Sequence, residues 1–274
     1  MSNPDAVRQH VVAVSTSESP DMAVLGLSDG HLCDAMTEIA RRVLNFGSRL
    51  VYGGDLRQHG FSDLLFEIAA RHHPVVEAAE QHFGVTNYLD WLAHIGMSME
   101  RIEAAIEALA GTAELVCMDM KGEPLPMRQR RQVEARQATE AEWSEGLMTM
   151  RQHMLENTDA RIVLGGRIEN YMGAMPGIAE EALLTLQDGQ PLFVVGGFGG
   201  CTRDIAENLH LVEQQTLGHR VWPGREELDN FSAADLNYGL SAEDNATLAR
   251  TPHIDQAEAL ILHSLLKVTG TGRR

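Results

Sequence analysis

Cysteine is scarce in this chain. Cys33, Cys117 and Cys201 are the only three in 274 residues and no two form a CxxC pair, so a disulfide scaffold and a paired-cysteine zinc site are both excluded. The three suit a reducing compartment and read as small core side chains. Cys201 carries a second reading, a thiol of lowered pKa at a helix N-terminus. Long apolar runs are also missing: none approaches the roughly 18–20 residues that cross a bilayer. The opening MSNPDAVRQH has neither the apolar stretch nor the small-residue cleavage site of a secretory signal, so a soluble, cytoplasmic protein is expected.

Positive charge is in short supply as well. Lys and Arg number 22 against 39 Asp and Glu, a formal −17, which opposes any polyanion surface because duplex binding requires cations that displace counterions. Neither nucleic acid nor an acidic membrane is expected as a partner. A small anion held by backbone N–H groups and one or two arginines stays compatible with an acidic chain. The standard cofactor motifs are absent: there is no GxxxxGK[ST], HExxH, GxSxG or EF-hand loop, and the first strand runs into STSESPD rather than GxGxxG. The His72-His73 pair has no companion at ligand spacing, so no metal and no cofactor are expected.

What is present is a chain of 44% hydrophobic and 22% charged residues, enough to bury a real core. Near-continuous apolar runs at 11–15, 48–54, 113–120, 160–166 and 191–197 predict strands covered on both faces. Helical patterns lie between them, at 30–46, 62–71, 98–110, 129–156, 177–187 and 202–210. Alternation of this kind predicts an α/β fold: a doubly wound, mostly parallel Rossmann-like sheet flanked by helices. Two amphipathic stretches, 241–250 and 253–268, make a helical C-terminal tail that packs back on the body. The expected organisation is a single domain over 1–274, with a core at about 10–212 and a C-terminal extension at 213–274. Residues 72–97 read as an excursion near the mouth of the sheet, and the basic run Arg128, Arg130, Arg131 as a solvated or subunit-facing surface.

Glycine placement is the strongest local signal. Three predicted strands end in glycine pairs: Gly53-Gly54, Gly165-Gly166, and Gly196-Gly197 followed by Gly199-Gly200. Turns at strand C-termini of an open α/β sheet are where ligands bind, and glycine lets backbone approach them closely. The alternative is that these glycines only permit tight strand-to-helix turns. In GGRIENYMGAMPGIAEEALL a loop bearing Arg167, Tyr171 and Gly173 follows the second pair, and Gly177 opens a helix with Glu180 and Glu181 in its first turn. One glutamate is accounted for by the helix dipole. The other is placed where a ribose diol or a general acid/base needs a carboxylate.

The motif formed by Gly165-Gly166 and, after an insertion, Gly177-Ile178-Ala179-Glu180-Glu181 resembles a glycine pair followed by Gly-Thr-x-x-Glu at a helix start. Met148-Thr149-Met150-Arg151-Gln152-His153-Met154 echoes Met-His-x-Arg-Lys-x-x-Met, and LVYGGD ending at Asp55 matches a glycine motif after the second strand. On these residues the chain resembles the SLOG superfamily, Rossmann-like proteins that include the Lonely guy phosphoribohydrolases and nucleotide-sensing domains of bacterial defence systems. Within it the likeness is to the branch found beside TIR and nucleoside-phosphorylase domains. The resemblance implies ligand contacts at Gly53, Gly54 and Asp55, and places Arg151 and Glu181 on the family's arginine and glutamate. Ile178 stands for the threonine, Gln152 for the lysine and Thr149 for the histidine, which removes two phosphate contacts of the hydrolases.

Three readings follow. The first is a sensor that binds a nucleotide or NAD-derived small molecule at the strand C-termini, with a TIR-type or phosphorylase-type effector as partner. The second is an N-glycosidic hydrolase or transferase using Glu181 and Arg151. The third is a structural subunit whose glycines merely turn the chain. Trp143 and Tyr171 read either as base-stacking groups or as core. The resemblance also implies a homodimer or larger assembly.

Overall fold

The computed structural model describes residues 10–57, 60–71, 84–213 and 220–268. The strands are β1 (Val11–Ser17), β2 (Arg49–Gly53), β3 (Val85–Leu89), β4 (Ala113–Cys117), β5 (Ala160–Gly165) and β6 (Leu192–Val195). They form one sheet in the order β4-β3-β2-β1-β5-β6, and every neighbouring pair is parallel. The chain lays down β1 to β4 in one direction and then returns to place β5 on the free side of β1. This reversal is the switch point at which open α/β sheets bind ligands. The α/β, doubly wound expectation holds.

The helices are α1 (Asp29–Asn45), α2 (Phe61–Arg71), α3 (Trp91–Ile95), α4 (Met99–Ala108), α5 (Met127–Arg130), α6 (Glu140–Glu156), α7 (Gly177–Gln187), α8 (Gly200–Asn208), α9 (Ala242–Arg250) and α10 (Ile254–Val268). Strand alternation distributes side chains to the two faces of the sheet. Leu50 and Tyr52 join the core that contains Leu32, Met36 and Ile39 of α1 and Leu65 of α2. Val51, between them, joins Leu147, Met150 and Met154 of α6. Trp222, Leu228, Leu236, Tyr238, Leu248, Ala257, Ile261 and Leu265 belong to the main core, with Tyr238 stacked on Phe193 at 4.5 Å. Arg220 fastens this C-terminal segment to the body through Asp21 (2.7 Å) and Asp204 (2.8 Å).

Three expectations are corrected. The excursion over 72–97 contains β3, whose VTNYL run is wholly buried yet carries Thr86 and Asn87, so it lacks the apolar continuity of the other strands. Asn87 is accommodated because its amide donates to Gly54 O (3.0 Å) and accepts from Ser62 Oγ (3.1 Å). The single helix expected at 129–156 is two helices, and α6 begins afresh at Thr139, whose side chain and Glu142 form a reciprocal cap. Within the basic run, Arg130 is buried rather than solvated. Its guanidinium donates to His94 Nδ1 (2.9 Å), His94 O (2.6 Å), Met97 O (3.0 Å) and Val133 O (3.0 Å). His94 in turn donates from Nε2 to Met118 O (2.7 Å), and burial lowers its pKa to about 4. The His72-His73 pair lies outside the described residues.

Candidate functional site

A cavity of about 780 Å³ opens at the C-terminal ends of β1, β2 and β3 and the start of α7. Its size falls in the range of roughly 300–1,000 Å³ typical of small-molecule sites. Helix α6 supplies one wall. Trp143, Leu147, Met150 and Arg151 recur at helical spacing and all line the cavity. Gly53 lets this wall close on the sheet, because a Cβ there would stand 2.9 Å from both Met150 Cε and Met154 Sδ. Leu92, Ala93 and Met97, in and just after α3, face the same space, as do Tyr52, Phe61 and Ser62.

At the floor lies a buried charge network. Glu181 Oε2 accepts from Ser15 Oγ and from Arg161 Nη1 (2.5 Å), and its Oε1 accepts from Arg151 Nε (3.3 Å). Arg151 Nη1 also pairs with Glu180 Oε2, and Arg161 reaches Ser15 Oγ (2.7 Å) and Thr185 Oγ1 (3.0 Å). Two guanidiniums are thus matched by two carboxylates in a desolvated setting, where removing one member of such a set costs about 3–5 kcal/mol. Burial lowers the pKa of Arg161, and the attraction of Glu181 offsets that only in part. Asp90, also on the floor, caps α3 by accepting from Leu92 N and Ala93 N (2.9 Å each), while burial raises its carboxyl above the ordinary value.

The mouth is built differently. Arg57 pairs with Asp55 (2.7 Å), Arg167 with Glu18 (2.8 Å), and Arg101 donates to Leu56 O (3.2 Å). The side chains of Arg57 and Arg167 are 64% and 40% exposed, and surface pairs of this kind are worth only about 0.2–1 kcal/mol.

Of the residues singled out from sequence, Gly53, Gly54, Asp55, Arg151, Arg167, Tyr171, Gly177 and Glu181 line this cavity, as does Trp143. Glu180 sits behind them, bonded to Arg151. Gly173 stands on the loop before α7, where a Cβ would come 3.9 Å from Arg151 Nη1. Gly165 and Gly166 are packing positions: a Cβ would meet Ser17 O at 2.7 Å in the first case and Ile178 Cδ1 at 2.8 Å in the second. The third glycine turn lies elsewhere. Gly196, Gly197 and Gly199 border a separate cavity of about 290 Å³, and Cβ atoms at the first two would stand 2.3 Å from Ala249 O and 2.0 Å from Thr251 O. Gly200 lies against Gly165 and Gly166, its amide donating to Asp21 Oδ2 (2.6 Å). Three glycine turns therefore do not converge on one socket. The Cys201 thiol, although early in α8, is fully buried, and burial followed by Asp204 raises its pKa, the reverse of an activated thiol. Among the described residues no group of three or more His, Cys, Asp or Glu is placed to hold a metal ion, and no helix is long and apolar enough to cross a membrane.

Ser15, Asp90, Arg161, Arg57 and Arg101 were missed. Arg161 carried a signal: a lone cation inside the apolar run ARIVLGG, on a strand covered from both sides, must find a buried carboxylate. Arg57 and Arg101 carried none, because they join Arg167 at the mouth only through the fold.

A parallel open sheet with a part-polar cavity at its switch point defines a Rossmann-like fold with a candidate small-molecule site. The family is defined by the sequence over most of its length. Residues 6–251 match the model of SLOG cluster2, and the chain belongs to that family, membership of which implies in general a nucleotide-derived ligand. No curated protein matches the chain.

Proposed function

We propose that this protein binds a nucleotide or NAD-derived small molecule in the switch-point cavity and serves as a sensor rather than a catalyst. The observation that carries this reading is the state of Glu181. Its two oxygens already accept from Ser15, Arg161 and Arg151. A carboxylate so engaged retains acceptor capacity for one ribose hydroxyl. It has little left to take a proton from water, which a hydrolytic base must do. Aromatic and apolar groups on α3 and α6 supply a wall for a base, and the floor carboxylates Glu181 and Asp90 suit hydroxyl donors. We extend the proposal to the partner: a TIR-type or phosphorylase-type effector reads the loaded state of a homodimer or larger assembly, on the strength of the resemblance to the branch associated with those domains.

A thermal-shift panel of NAD, ADP-ribose, cyclic ADP-ribose and nucleoside monophosphates tests the binding. At least one is expected to raise the melting temperature by several degrees at millimolar concentration, and no response from any of them overturns the reading. The second reading, cleavage of an N-glycosidic bond, is favoured by one fact, that Arg151 and Glu181 meet at the cavity floor. Release of free base from the same panel, abolished in Glu181→Gln, would establish it in place of the sensor.

A further inference from the structure

Helix starts next to glycine turns are the usual place for a phosphate in folds of this type, because free N–H groups and the helix dipole converge there. In this molecule the amides of the glycine turn are engaged, and the start of α7 is flanked by charge. The amides of Gly166 and Arg167 donate to Ser17 O (3.0 Å) and Ser17 Oγ (3.1 Å), and Gly166 O accepts from Cys201 N (2.9 Å). The guanidinium of Arg151 crosses the first residue of α7, where a Cβ on Gly177 would stand 2.5 Å from Arg151 Nη2. The first turn of α7 brings Glu180, with Glu181 next to it, so the positive end of the helix already has its anions. Both buried arginines of the floor are committed to these carboxylates. A phosphate delivered there would meet two negative charges and have to break a desolvated ion-pair set.

The mouth offers the opposite. Arg57, Arg101 and Arg167 approach the same cavity from three elements: the loop after β2, the first turn of α4 and the loop after β5. Arg101 reaches the backbone of Leu56, and Glu18, the partner of Arg167, also acts on Arg57, so the three cations surround one region of the opening. Their partners Glu18 and Asp55 are themselves 50% and 41% exposed and can turn into water when an anion arrives. We propose that Arg57, Arg101 and Arg167 form the anion subsite of this cavity. They take the phosphate or pyrophosphate of the ligand at the mouth, while its sugar reaches inward to Glu181 and Asp90. This rests on the nucleotide-binding reading and adds the direction in which the ligand lies.

The test compares adenosine with ADP by calorimetry, using the full chain. ADP is expected to bind at least tenfold tighter than adenosine at 50 mM salt, with the ratio falling towards one at 0.5 M. The substitutions Arg57→Gln, Arg101→Gln and Arg167→Gln should each reduce the ADP-to-adenosine ratio several-fold, and the triple variant should abolish it. Arg71→Gln, at an exposed pair on α2, should leave the ratio at its parental value. Melting temperatures without ligand confirm that the variants are folded. A triple variant that keeps the parental ratio, or a parent that binds adenosine and gains nothing from the phosphates, overturns the mouth assignment alone. If neither adenosine, ADP nor any member of the thermal-shift panel binds, the nucleotide reading falls and this assignment with it.

Discussion

At the scale of single residues, the large buried cations among the described residues are answered by oxygen acceptors. Arg130, Arg151 and Arg161 are all buried, and each meets carboxylate or carbonyl oxygens at hydrogen-bond distance. His94 is the case with a measurable consequence. In the fold it accepts from Arg130 at Nδ1 and so must stay neutral, with a pKa of about 4 against the ordinary 6.5. Unfolded chains therefore take up a proton between pH 6.5 and 4 that the folded protein refuses. Stability should accordingly rise with pH across that window and level off above it, by at most about 3 kcal/mol. Urea unfolding at a series of pH values checks this. His94→Gln, which keeps a neutral acceptor and donor, should flatten that part of the curve, and an unchanged slope would remove His94 as its cause.

Among elements, glycine decides how closely helices and strands approach, and the partner atom decides what a methyl group does there. At Gly53 an added Cβ meets the flexible ends of Met150 and Met154 at 2.9 Å, whereas at Gly197 it meets the backbone carbonyl of Thr251 at 2.0 Å. Gly53→Ala should therefore cost less than about 1 kcal/mol, and Gly197→Ala the upper part of the roughly 1–3 kcal/mol range for overpacking, or more. Chemical denaturation of the two variants should show that order, and a reversed order would contradict the packing described here. The same contrast explains what was legible in the sequence. Strand-end glycines and apolar runs revealed five of the six described strands and the winding of the sheet, because those signals are local. β3 escaped because Asn87 and Thr86 are satisfied by residues distant in sequence, and the break before α6 escaped because residues 131–139 carry neither Pro nor Gly. At the site, Arg151 and Glu181 were legible as a pair from the motif, while Arg57 and Arg101 were not, since nothing in their own neighbourhoods announces a shared opening. Intolerance of Gly166→Ala does not separate a binding role from a structural one, because at φ +107° with Cys201 Cβ 2.9 Å from the added carbon the substitution is unfavourable in either case.

For the molecule as a whole, residues 220–268 contribute to the interior. Trp222 and Leu228 are buried in the main core, Arg220 binds Asp21 and Asp204, and the carbonyl of Thr251 closes on Gly197. A chain ended at residue 213 would bare that apolar surface. It should be recovered as aggregate, or as a species that binds hydrophobic dyes, and a monodisperse fragment with an intact thermal transition would refute the account. The pairing of β1 bears on how the protein comes into being. Val11 N donates to Asp159 Oδ2 across 148 positions, and Val12 stands opposite Ala160 in the centre of the sheet. At roughly 5–20 residues per second of synthesis, the first strand leaves the ribosome on the order of ten seconds or more before its inner neighbour exists. During that interval it presents an open edge of the kind that recruits other chains. Slower growth at low temperature, or chaperones that shield such edges, should raise the yield of soluble protein more than any change made to its surface.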